Sequence, residues 1–178
     1  MFCVITGGPG AGKTTLIEAL QKVNFICMPE VAREIIREQS ATNGEGLPWK
    51  NRELYAALML DGSLASYNAA PAGNSIVFFD RGIPDVMCYH RLINLPITAH
   101  LSDAVSRYRY NEKVFILPPW PEIYHTDSER KQDWQEAEYT FHLMKQVYED
   151  CGYTPIEVPR QGVEERVEFV KKELRCEV

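Results

Sequence analysis

Gly7-Gly8-Pro9-Gly10-Ala11-Gly12-Lys13-Thr14 fills every fixed position of the pattern GxxxxGK[ST]. It follows the apolar run Phe2-Cys3-Val4-Ile5-Thr6 and leads into Lys13-Thr14-Thr15-Leu16-Ile17-Glu18, so strand, glycine loop and helix come in the order a phosphate-binding loop requires. Glycines at 7, 8, 10 and 12, with Pro9 and Ala11 between them, let successive backbone N–H groups converge on phosphate oxygens, and the helix start adds a partial positive charge. Lys13 is expected to reach the β- and γ-phosphates, Thr14 to offer its hydroxyl to Mg²⁺, and Thr15 to complete the cradle. The dinucleotide fingerprint GxGxxG fails, because Lys13 stands where its third glycine belongs. A guanine-reading NKxD is absent, which argues against a GTPase switch.

Working outward, four more short apolar runs read as buried strands: residues 25–28, 76–80, 114–117 and 154–158 join residues 2–6. Their apolarity is continuous, as expected of strands covered on both faces of a parallel sheet. Helical stripes alternate with them: Leu16, Leu20 and Val23; Trp134, Ala137, Phe141, Met144 and Tyr148; and Val163, Val167, Val170 and Leu174. The expected fold class is α/β: a P-loop NTPase three-layer αβα domain over residues 1–178, with a five-stranded parallel sheet. Residues 38–50 are polar with Gly and Pro and predict a loop. Residues 118–129 open with three prolines in four positions and predict an irregular excursion, the next helix starting near Thr126 or Asp133.

The 178 residues are 45% hydrophobic and 25% charged, with 19 Lys+Arg against 25 Asp+Glu. Such a chain buries a core and is not disordered. A net charge of −6 argues against a surface made for nucleic-acid polymers or anionic lipid, so any phosphate must be met by a few local cations. Five cysteines without a CxxC suggest neither a disulfide framework nor a zinc site. No secretory signal and no apolar run of membrane-spanning length is visible, so the expected location is cytoplasmic. The four histidines show no ligand spacing. The sequence leaves the oligomeric state open.

Ile76-Val77-Phe78-Phe79-Asp80 ends an apolar strand in aspartate, the pattern of a Walker B element, and Asp80 is followed by Arg81-Gly82. Glu30 and Arg33 follow the second strand and would emerge on the same rim as Lys13 and Asp80. There Glu30 has two readings: a base for an acceptor hydroxyl, or an acidic residue favoured by a helix N-terminus. Arg33, one helical turn later, would face the same cleft and hold an anionic or polar acceptor. Trp49, Tyr55, Met59 and Tyr67 either wall an acceptor pocket or pack as core. Arg160-Gln161-Gly162 is either an adenine contact or a plain loop.

The segments GGPGAGKTT, PEVARE, FFDRG, VFILPPWPEIYHTDSER and YEDCGYTPIEVP…EERVEFV together resemble the AAA-type P-loop ATPase/kinase group. That group is similar to the nicotinamide riboside kinase domains of bifunctional NAD regulators and, more distantly, to deoxynucleoside kinases. The resemblance implies ATP as nucleotide, Glu30 as base, and Asp80-Arg81 as the acidic–arginine pair beside the transferred phosphoryl group. It also implies a small lid over about residues 118–131, whose Arg130 closes the site, with fewer lid cations than such kinases often carry. ATP, Mg²⁺ and a small hydroxylated acceptor are the expected partners. A switch ATPase with a macromolecular partner and a non-catalytic nucleotide-binding module are the alternatives.

Overall fold

The computed structural model describes residues 1–73, 75–123 and 134–175. Strands β1 (Phe2–Gly7), β2 (Ile26–Met28), β3 (Val77–Asp80), β4 (Lys113–Leu117) and β5 (Thr154–Glu157) form one sheet in the order β2-β3-β1-β4-β5. All pairings are parallel; Phe2 lies opposite Val77, Ile5 opposite both Asp80 and Phe115, and Lys113 opposite Thr154. The five apolar runs are thus the five strands, with bounds shifted by one residue: β1 extends to Gly7 and β4 starts at Lys113, while β2, β3 and β5 are each one residue shorter than expected. The helices are α1 (Lys13–Lys22), α2 (Val31–Ala41), α3 (Arg52–Ala69), α4 (Ile83–Leu92), α5 (Ala99–Arg107), α6 (Trp134–Asp150) and α7 (Val163–Arg175), with one 3₁₀ turn at Pro121–Ile123.

Alternation along the strands divides the core into two layers. Val4, Val77, Phe79, Val114 and Ile116 face a cluster with Ile83, Tyr110, Phe141 and Tyr148, while Cys3, Ile5, Phe78, Phe115 and Leu117 face Leu16, Leu20, Val167 and Val170. Helices α1 and α7 pack together on the second face; α3, α4 and α6 pack in succession on the first. Burial on both faces explains the unbroken apolarity of β1, β3 and β4. The edges differ: Ile26 of β2 is 39% exposed, and β5 is exposed at both ends.

Three local expectations change. Residues 38–41, expected in a loop, form the last turn of α2, because propensity there gives way to Ile35 being buried against the core. Val23 lies past the end of α1 and is 48% exposed, outside the stripe of Leu16 and Leu20. Helix α6 begins at Trp134 among the described residues; the start near Thr126 lies outside them, as do His125, Arg130 and Lys131 of the expected lid.

The phosphate loop leaves the carboxyl end of the central strand, flanked by β3 and β4, where open α/β sheets place their ligands. Gly7 has φ +146°, and a Cβ there would come 2.7 Å from the Leu117 carbonyl oxygen. Gly7→Ala should therefore lower stability by about 1–3 kcal/mol, measured by urea unfolding; an unchanged midpoint would contradict this close approach.

Candidate active site

Local geometry sets the loop before any ligand arrives. Gly10 and Gly12 adopt left-handed φ values of 76° and 81°, open to glycine without a side-chain penalty. Gly12 is the N-cap of α1, so Lys13, Thr14 and Thr15 start the helix. The Lys13 side chain is folded inward at 5% exposure, whereas Thr14 and Thr15 are exposed. Burial, followed by the neighbouring charge of Arg81, brings the Lys13 ammonium down to about 8. Such a lysine gains from any anion that comes beside it.

The second part of the rim is a carboxylate bridged by two arginines. Glu30, the N-cap of α2 just beyond β2, accepts from Arg81 Nε at 2.8 Å through Oε1 and from Arg33 Nε at 2.7 Å through Oε2. Burial alone would raise the Glu30 carboxyl, but Arg81, Lys13 and Arg33 outweigh it and hold it at about 2. Arg81 is raised above its ordinary value: Glu30 and Asp85 more than offset its burial. Glu30 stands at the N-cap position of α2 without a side-chain cap hydrogen bond, its carboxylate being taken by the two arginines, and it lines the same cavity as Gly8 and Pro9.

Arg81 holds this position in a left-handed backbone conformation, φ 76°, which is costly for a residue with a Cβ. Its amide donates to the Ile5 carbonyl at 3.0 Å, and its Nη1 reaches Asp85 Oδ1 at 3.3 Å. Asp85 is a residue the sequence reading missed. Its Oδ1 also accepts from the Thr6 hydroxyl at 2.6 Å, and its Oδ2 accepts from Gly82 N at 2.8 Å and Tyr148 Oη at 2.5 Å. One carboxylate thus ties β1, the β3–α4 turn and α6 together behind Arg81. The available signal was Asp85 at the third position of a helix that starts after Gly82, half of a capping box. Thr6 and Tyr148 gave no such signal.

Asp80 is 9% exposed, and its Oδ1 has no hydrogen-bond partner. Burial raises its carboxyl above the ordinary range, with Lys13 pulling the other way and Glu30 adding to the rise. A buried orphan oxygen beside a lysine suits a cation ligand.

Gly8 and Pro9 of the loop, Glu30, Asp80 and Arg81 meet across a cavity of about 390 Å³. Its far walls are apolar and aromatic, including Val31, Tyr55, Met59 and Tyr89. Tyr55 and Tyr89 meet edge to face at 5.4 Å. Of the four residues considered for this wall, Tyr55 and Met59 line it. Tyr67 instead packs with Phe2, Phe79, Tyr108 and Tyr110, and Trp49 is 66% exposed. Arg33 lines the cavity while remaining half exposed. Arg160 donates through Nε to the Pro119 carbonyl at 2.8 Å, tying the loop before α7 to the segment after β4. His90 is a packing residue, its Nδ1 2.8 Å from the Pro96 carbonyl.

Solved structures share this architecture. NadR in complex with NR superposes with a TM-score of 0.68 at 22% identity, over 96% of this chain and 49% of that one, so this chain spans about half the length of NadR. The deoxyadenosine kinase from M. mycoides gives 0.65 at 17% identity, over 99% of this chain and 100% of that one. Shikimate kinase from Aquifex aeolicus gives 0.57 at 14%, over 98% and 96%. At these identities the likeness is one of fold. A comparison with curated proteins gave no match. The family model described as AAA domain matches residues 2–166. That match takes in all five strands, the glycine loop and the rim from Glu30 to Asp85, and so the chain belongs to the AAA domain family.

Proposed function

We propose that this protein is an ATP- and Mg²⁺-dependent phosphotransferase that moves the γ-phosphoryl group to a small hydroxylated, nucleoside-like acceptor. The observation that carries the reading is the cavity joining the tip of the phosphate loop to Glu30, Asp80 and Arg81. Its volume lies in the range of small-molecule sites, and apolar walls around a few convergent charged groups are what such sites use. A switch driven by ATP hydrolysis would have no need of an acceptor chamber beside the nucleotide. NadR solved with NR and with NAD and AMP-PNP, and deoxyadenosine kinase solved with dCMP and dCDP, support the nucleoside-like class.

The Lys13 ammonium and the loop N–H groups bind and orient the β- and γ-phosphates. Asp80 and the Thr14 hydroxyl are the residues that would hold Mg²⁺. The donor set fits, because Mg²⁺ commonly takes one or two protein oxygens and completes its shell with phosphate and water. When bound, the ion neutralises charge on the phosphate oxygens. Glu30 stays anionic at any working pH and accepts the acceptor's hydroxyl hydrogen. Its low proton affinity makes it an orienting group first and a proton acceptor late, which suits a loose transition state with little need for early deprotonation. Arg81 and Arg33 fix Glu30 and present cationic edges to the cavity. Arg130, which lies outside the described residues, is assigned by the family resemblance as the cation that closes over the phosphoryl group. Water must then be excluded, or the ATP is hydrolysed.

Incubation with ATP, Mg²⁺ and a panel of nucleosides, followed by ³¹P NMR, should show the γ-phosphoryl group on an acceptor. Release as inorganic phosphate at a rate independent of every acceptor would make the protein an ATPase. Binding without turnover would make it a nucleotide-binding module. Glu30→Gln should reduce transfer by about 100-fold or more and leave ATP affinity nearly unchanged; transfer at the wild-type rate would remove Glu30 from the chemistry.

Glu30 also has a stability signature. Its folded value, about 2, lies below its ordinary 4.5, so on acidification the unfolded chain takes up the proton first. The stabilisation is complete above 4.5 and is lost as pH falls from there towards about 2. Urea midpoints of wild type and Glu30→Gln should differ near neutrality and converge across that window. A constant difference across it would show that the paired carboxylate is not the source.

A further inference from the structure

Arg166, in the first turns of α7, is 5% exposed, yet it has no carboxylate partner among the described residues. Its Nη1 donates to the Gly12 carbonyl at 3.3 Å, its guanidinium carbon lies 5.6 Å from the centre of the Trp120 ring, and its Nε is buried without a hydrogen-bond partner. The other cations of the rim are balanced: Arg81 by Glu30 and Asp85, Arg33 by Glu30, and Lys13 by the nearby charges of Glu30 and Asp80. A buried guanidinium without an anion is expensive, and an indole face offsets only a fraction of that cost. Burial lowers the proton affinity of Arg166.

A purely structural role does not account for this placement. Leu16 N already donates to the same Gly12 carbonyl at 3.3 Å, so α1 does not need Arg166 to satisfy its N-cap. The side chain is instead held against the residue preceding Lys13, with one N–H of its fork unused. We propose that Arg166 is a nucleotide-binding residue that takes a phosphate oxygen of the bound nucleotide at the Gly12 end of the loop. The ligand class is a di- or triphosphate chain, for which a guanidinium fork is well matched. This rests on the nucleotide-binding reading given above. It assigns to α7 a part in the phosphate site, and it gives a guanidinium that has no carboxylate among the described residues an anion in the bound state.

The test is calorimetric titration of ATP, ADP and inorganic tripolyphosphate into wild type, Arg166→Met and Arg166→Lys, together with the thermal midpoint of each protein without ligand. Arg166→Met should bind all three about tenfold or more weakly, while its ligand-free midpoint rises by about 2–4 °C. Arg166→Lys, which keeps the charge, should recover part of the affinity. Unchanged affinity in Arg166→Met, or a lowered ligand-free midpoint, would make the arginine a structural strut and overturn the assignment. Weaker ATP binding with unchanged tripolyphosphate binding would move the guanidinium from the phosphates to the nucleoside and overturn it as well. A wild type that binds none of the three would remove the nucleotide reading itself, and this inference with it.

Discussion

The ion pair between Arg81 and Glu30 is the interaction on which the site depends. Lys13 is buried and Arg81 is partly buried in one rim, and the charge of Arg81 adds to burial in lowering the proton affinity of Lys13. Only carboxylates in contact make that tolerable. Glu30 supplies one from the end of β2, and Asp85 supplies another from the first turn of α4. The pair also joins the segments that follow the carboxyl ends of two neighbouring strands, β2 and β3, both of which line the cavity. β2, three residues long, pairs with β3 from Ile26 to Met28, and the ion pair continues that link past the strand ends. The strained φ of Arg81 is the local cost of aiming a guanidinium at Glu30 from the end of a buried strand.

The sequence made part of this legible. The phosphate loop could be read because its chemistry requires fixed residue types at fixed spacing, and the glycines do adopt the left-handed conformations that this implies. Strands could be read because parallel strands covered on both faces lose their alternation. That Glu30, Asp80 and Arg81 share one rim could be read because each stands just at or past the carboxyl end of a strand. What escaped was non-local. Asp85 draws its donors from Thr6 and Tyr148, 79 and 63 residues away, and no local pattern announces such a meeting. Tyr67 and Tyr55 are the same residue type on the same helix, yet one joins the core and the other lines the cavity. That difference is a matter of rotation about α3, set by what packs against it. Arg166 was hidden for the opposite reason: it sits in a charged run that reads as solvated, and only the fold turns it inward.

A net charge of −6 and a polyphosphate ligand are compatible because charge acts here over short distances in sites shielded from water. Around the loop, backbone dipoles and a handful of guanidinium and ammonium groups set the local potential. Negative charge elsewhere is spread over exposed helices, such as Glu164, Glu165 and Glu168 on α7. The same helix turns acidic residues to solvent and one arginine towards the loop, so a single α7 contributes opposite signs to opposite surroundings.

The strand order has a consequence for how the chain acquires its shape. β1 is synthesised before either of its sheet neighbours, and it gains both only when Val77–Asp80 and Phe115–Leu117 have been made. The glycine loop at its end therefore waits for Leu117 to close beneath Gly7. Both contacts bridge long stretches of chain, and loop closure of this kind slows folding. Until β4 docks, the buried central strand has one open side, and this interval is when a nascent chain of this family has most need of protection from self-association.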